Sequence, residues 1–188
     1  MKTLILLFIA AAAFTFAMPH DALGQRDYFT LEEIEMIRDA QQLDKRTTLL
    51  TKIIDRRFTA LNNDVGGEPI SPKEAEKWGT LPNASRRDLL WDIRRILEKA
   101  IADIDNLAER PDSMVVDPDN KKPKKYSDVF PNAVRILAKA AARYQPALRM
   151  ELDKSTEPAQ KGSILAALEM CSDIIAAQAK LPALAKPK

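Results

Sequence analysis

Residues 85–111 read SRRDLLWDIRRILEKAIADIDNLAERP, and this stretch sets the fold class. Leu89, Ile93, Ile96, Leu97, Ala100, Ile104 and Leu107 recur in steps that place them on one face of a helix with 3.6 residues per turn. Arg94, Arg95, Glu98, Lys99, Asp103 and Asp105 fill the opposite side. Ser85, with Asp88 three residues on, supplies the start, and Pro111 supplies the stop. Arg94 and Glu98 stand one turn apart, where an ion pair adds a few tenths of a kcal/mol.

The same rhythm runs through the rest of the chain. Thr30 and Glu33 have capping-box spacing, and a seam follows at Met36, Ala40, Leu43, Thr47, Leu50, Ile54, Phe58 and Leu61. The spacing predicts one unbroken helix from Thr30 to Leu61, ended by Asn62 and Asn63. The connector over 64–84 is punctuated by Gly66, Gly67, Pro69, Gly79 and Pro82. Within it, Ser71-Pro72-Lys73-Glu74 predicts a short helix reaching Trp78.

A second connector covers 112–126, with a brief extended piece expected at Met114–Val116 and a turn at Pro118–Asn120. A third long helix should begin between Ser127 and Pro131 and carry Val134, Leu137, Ala141, Tyr144, Leu148 and Leu152 inward. Pro146 is expected to kink or break it. A last helix should run from Pro158 to Leu181 through Ile164, Leu168, Cys171, Ile175 and Gln178. These readings predict an all-α, antiparallel four-helix bundle-like domain over 25–181, with a long irregular connector between its first two long helices. A loose tail is expected at 182–188, and the chain shows no convincing internal repeat.

The chain begins Met-Lys and then runs from Leu4 to Ala17 without a charge. This run has the length of a signal-peptide apolar region and falls short of the ~20 residues that span a bilayer. Ala22 and Gly24 give the small-x-small pattern for cleavage before Gln25, and Thr15 with Ala17 offers a second site. A signal peptide over 1–24 directs the protein to the periplasm or the exterior. The single histidine, His20, lies inside that segment.

The mature chain is therefore expected to lack histidine, which removes the usual base for a serine or cysteine nucleophile. It also removes the Glu-x-x-His pairs of carboxylate-bridged di-metal bundles and most zinc ligand sets. Gly66-Gly67 lacks the Lys-Ser/Thr of a phosphate loop. Glu32, Glu33 and Glu35 crowd one helix start, where acids complement the helix dipole. Cys171, the one cysteine, lies on an apolar stripe and is read as core. The expectation is a protein that is not an enzyme and takes no cofactor and no metal.

The formal charge of +2, from 29 basic and 27 acidic residues, gives little general attraction to polyanions, so nucleic acid is an unfavoured partner. Lys121, Lys122, Lys124 and Lys125 form a cluster suited at most to weak contact with phosphate or a membrane surface. Asn83-Ala84-Ser85 matches a glycosylation acceptor and equally a helix entry. Thr47, Gln178 and Tyr144 are polar groups in the seams, expected to fix register, with the lining of a ligand pocket as the alternative.

Trp91 stands opposite the Ile93–Ile104 stripe among Arg87, Arg94 and Arg95. It is either an interface anchor or is covered by Trp78 or Leu81 from the connector. The leading expectation is an envelope module that binds an unknown protein or self-assembles through Arg87, Trp91, Arg94 and Arg95. The alternative is a carrier of an apolar small molecule or lipid, with room left by the alanines of 138–142.

Overall fold

A computed structural model describes residues 27–109, 115–117, 120–124 and 126–182. The expected signal peptide, both cleavage sites and residues 183–188 lie outside the described residues. The fold is all-helical apart from one small hairpin. Helices α1 (Leu31–Asp39), α2 (Leu43–Ala60), α3 (Pro72–Trp78) and α4 (Arg86–Ala108) are followed by β1 (Val115–Asp117) and β2 (Asn120–Lys124). Helices α5 (Tyr126–Lys154) and α6 (Pro158–Ala179) complete the chain. The strands pair antiparallel, Val115 with Lys124 and Asp117 with Asn120.

Helix α2 packs on α4 and α5, and α6 packs on α4 and α5, so the four long helices enclose one core. The stripes read from the sequence supply it. Leu50, Ile54 and Phe58 of α2 meet Leu90, Ile93 and Leu97 of α4, and Leu137, Ala141 and Tyr144 of α5, all essentially without exposed surface. Phe58 and Tyr144 stack at 5.2 Å, and the Tyr144 hydroxyl donates to the Thr51 carbonyl at 3.0 Å. The aromatic bodies fill the core while the one polar tip keeps a partner. Thr47 donates to Leu43 of its own helix at 2.8 Å, whereas Gln178 is exposed rather than seated in a seam.

Two expectations about helix continuity are corrected. Residues 30–61 form two helices rather than one. The chain leaves helical geometry at Ala40 (φ −78°, ψ 75°) and Gln42 (φ −79°, ψ 131°), and Arg46 Nε donates to the freed Ala40 carbonyl at 2.8 Å. This break lets α1 fold back along α2. Pro146, by contrast, does not end the helix, because α5 runs continuously through Pro131 and Pro146. Pro146 and Ala142, whose carbonyl loses its helical donor, both lie on the exposed face, where solvent replaces the bond.

Polar clamps fix the irregular pieces. Glu151 is fully buried and takes Arg86 at 2.5 Å and Asn63 at 2.7 Å, tying the end of α5 to the start of α4 and the end of α2. Arg143 of α5 donates to the Val65 carbonyl at 2.9 Å and reaches both oxygens of Asp55 at 3.3 Å. Burial raises the Asp55 carboxyl above its ordinary value, against the pull of Arg143. Among the described residues α6 alone is long and apolar enough to cross a membrane, and here it lies against α4 and α5.

Candidate functional site

The break at Ala40–Gln42 brings the N-terminal segment onto two consecutive arginines of α2. Thr30 and Glu33 close the expected capping box, with Thr30 N donating to Glu33 Oε2 at 3.0 Å and Glu33 N donating to Thr30 Oγ1 at 3.3 Å. The Glu33 carboxylate then takes Arg57 through two parallel bonds of 2.6 Å. Arg57 Nε lies 3.3 Å from Asp92 of α4, and Arg57 Nη2 also donates to the Tyr28 carbonyl at 2.8 Å. Arg56 Nε stands 3.6 Å from Glu33. All four charged groups are buried, two positive and two negative, so the cluster is neutral as a whole. Burial is compatible with charge here because each group has an opposite partner.

Arg56 performs a second task. It donates to the carbonyls of Trp78 and Thr80, at 2.9 Å and 2.6 Å, and lies over the Trp78 ring at 5.2 Å. Gly79, between those carbonyls, has φ 60° and ψ −166°, a region that only glycine enters without strain. Trp78 is thus held in the core at 4 % exposure, and Leu81 stays 45 % exposed.

Because Arg57 pins the Tyr28 backbone, the Tyr28 ring falls on α4. It meets Trp91 edge to face, with centroids 6.0 Å apart and an interplanar angle of 82°. Arg95 lies over both rings, at 5.5 Å from Tyr28 and 5.8 Å from Trp91. Glu98 holds Arg95 at 2.5 Å and Arg94 at 2.8 Å, while Arg87 is exposed at the edge. The ring packed on Trp91 therefore comes from the N-terminal segment, not from Trp78 or Leu81 of the connector. Trp91 is left half-buried beside the Tyr28 ring and the Arg95 guanidinium, and the Phe29 ring lies 4.5 Å from that of Tyr28.

Arg87, Trp91, Arg94 and Arg95, expected as one surface, lie on one face of α4. Tyr28, Glu33 as an ion-pair partner, Arg56, Arg57 and Asp92 are not among the residues expected from the sequence. A signal for Arg57 and Asp92 existed: Arg57 stands three residues after Ile54 and Asp92 three after Leu89, so both fall at buried helical positions. Nothing in the local sequence announced Tyr28.

The remaining candidates lie apart from this face. Lys121, Lys122 and Lys124 occupy β2, while Lys125 and the side chains of all four lie outside the described residues. Glu35 pairs with Arg38 on the surface, and Ser85 caps α4 by accepting from Asp88 N at 3.2 Å. Cys171 is fully buried, and burial pushes its thiol up to about 12. Among the described residues no three His, Cys, Asp or Glu side chains converge as a metal site would require. An apolar groove of about 200 Å³ runs between α4, α5 and α6, floored by Ile104, Val134, Leu137 and Ile174. No family model matches this chain, and neither the curated proteins nor the solved structures include a significant match to it.

Proposed function

We propose that this chain is an exported, non-enzymatic helical module of the cell envelope, periplasmic or extracellular, that binds another protein or assembles with itself. In this reading an antiparallel four-helix bundle presents the Tyr28–Trp91–Arg95 cluster, with Arg87 and Arg94 at its margin. The observation that carries the reading is the Arg95 guanidinium stacked over two partly exposed aromatic rings. Tryptophan, tyrosine and arginine are the side chains enriched where interface energy concentrates. Glu98 and Tyr28 hold the group in place, so little side-chain freedom remains to be lost on binding. The non-enzymatic reading draws support from the acids, since Glu33, Asp92, Asp55 and Glu151 are each engaged by an arginine.

Trp91→Ala tests this reading, with Arg87→Ala as the variant that leaves the core untouched. Binding to the native envelope fraction and sedimentation of the purified chain are measured for both, with circular dichroism as the control on folding. The proposal expects a folded Trp91→Ala protein that loses the partner or falls to a smaller species. A folded variant that binds and sediments as the wild type does would remove this face from consideration.

A second reading, carriage of an apolar small molecule, rests on the groove between α4, α5 and α6. Its volume of about 200 Å³ is below the roughly 300–1,000 Å³ of pockets that enclose drug-sized ligands. A guest there would be a short acyl end or a single side chain. Native mass spectrometry of the purified chain would show such a guest as a discrete added mass.

A further inference from the structure

Because the chain breaks at Ala40–Gln42, α1 lies beside α2 instead of extending it, and α3 packs against α1. The three helices leave a cleft of about 390 Å³ between them. That volume falls within the roughly 300–1,000 Å³ of pockets that hold small molecules. Each helix contributes one large apolar side chain to its wall: Met36 from α1, Leu49 from α2 and Trp78 from α3. Met36 and Leu49 are only half-buried, so the wall keeps apolar surface open to the cleft.

The rim is charged. Lys45 and Lys52 stand two helical turns apart on α2, Lys77 belongs to α3, and Asp39 and Glu74 complete the set. Three ammonium groups thus face two carboxylates. Glu74 is engaged at the start of its own helix, where Ser71 Oγ donates to it at 2.9 Å and Ser71 N at 3.4 Å. Those hydrogen bonds, and after them the charges of Lys52 and Lys77, hold the Glu74 carboxyl below its ordinary value. Lysines from two helices therefore converge on one carboxylate, which balances only one of them.

A guest must match both the wall and the rim. A neutral hydrocarbon would strip water from the ammonium groups without replacing its hydrogen bonds. A compact anion would leave the apolar wall in water. A chain with an anionic head satisfies both, because lysine stems lie along apolar surface while their charged ends reach outward. We propose that this cleft binds a single-chain amphiphile of the fatty-acid class, with its carboxylate at Lys52 and Lys77 and its acyl chain along Met36, Leu49 and Trp78. The assignment does not rest on the Trp91 face, which belongs to α4.

Trp78 reports on the cleft directly. The chain has two tryptophans, so Trp91→Phe leaves Trp78 as the only one. In that protein ω-bromododecanoate, kept below its micelle concentration, should quench Trp78 fluorescence saturably, and unlabelled dodecanoate should reverse the effect. Each methylene removed from the chain should weaken binding about fourfold. Lys52→Gln with Lys77→Gln, folded by circular dichroism, should weaken it roughly tenfold. Quenching that does not saturate, an affinity that ignores the two substitutions, or an ω-bromododecanol that binds as tightly as the acid would overturn the proposal. Quenching by vesicles of brominated phosphatidylglycerol with none by the free acid would also overturn it, and would make the cleft a membrane contact.

Discussion

Arg57 holds both carboxylate oxygens of Glu33 at 2.6 Å, although the two residues are twenty-four positions apart in the chain. Had residues 30–61 formed one helix, that separation would span about 36 Å. The break at Ala40–Gln42 and this ion pair are thus two sides of one feature. The pair docks α1, the docked segment carries Tyr28, and Tyr28 completes the aromatic cluster at Trp91.

Glu33→Ala leaves Arg57 buried with only Asp92 at 3.3 Å and the Tyr28 carbonyl for partners. Removing one partner of a buried pair costs about 3–5 kcal/mol, so the urea midpoint should fall strongly. The loss should centre on α1 and the Tyr28 segment, seen as amide exchange that rises there before it rises in α2. A loss below about 1 kcal/mol, the value of an exposed pair, would contradict the burial assigned to this contact.

Gly67 carries a separate clamp. A methyl group at this position would overlap Asp55 Oδ2 and stand 3.2 Å from Arg143 Nη1. Gly67→Ala should therefore displace the Asp55 carboxylate from Arg143 and cost about 1–3 kcal/mol. In an Asp55→Ala background the obstruction is gone, so the second substitution should cost much less. Denaturant titration of the four proteins in the cycle measures this, and strictly additive losses would contradict the proposed crowding.

The elements that the sequence made legible are those governed by local periodicity and caps. Ser85 caps α4 and Ser71 opens α3 as their spacing with Asp88 and Glu74 requires. The stripes of α4 and α5 are the core. The continuity of residues 30–61 was misread because Ala40 and Leu43 keep the seam spacing across the break, and no proline or glycine marks it. Pro146 signals a break for the opposite reason: the residue is a strong local signal, but its exposed position makes the lost bond cheap and the helix continues. The face of Trp91 was legible from helical spacing, whereas its partner Tyr28 was not. Long-range pairing through Glu33 and Arg57 is a tertiary fact: Glu33 alone reads as a cap, and the spacing that puts Arg57 on the buried face does not name its partner.

Cys171 reports on the opening of the core. Its thiol is raised from 9.0 to about 12 by burial, so the folded protein keeps a proton that the unfolded chain releases. The stabilisation linked to that proton is fully present below pH 9.0 and is lost as pH climbs through about 12. At pH 8 the thiolate fraction is about a thousandfold below that of an ordinary cysteine. Alkylation of the native protein should therefore proceed only through unfolding and accelerate with urea in step with loss of structure. Rapid labelling of the native state at pH 8 would show that α6 leaves the thiol accessible.

The most direct measurement on the proposed binding face is photocrosslinking in the native envelope, with benzoylphenylalanine placed at Arg87 in one strain and at Leu165 in another. Arg87 borders the Tyr28–Trp91–Arg95 cluster, and Leu165 is 53 % exposed on α6, a helix that carries none of it. The account predicts a discrete higher-mass adduct from position 87 that is missing from position 165 and is lost when Trp91→Ala is added. An adduct from position 165 with none from position 87, or one from 87 that persists without the Trp91 ring, would contradict it.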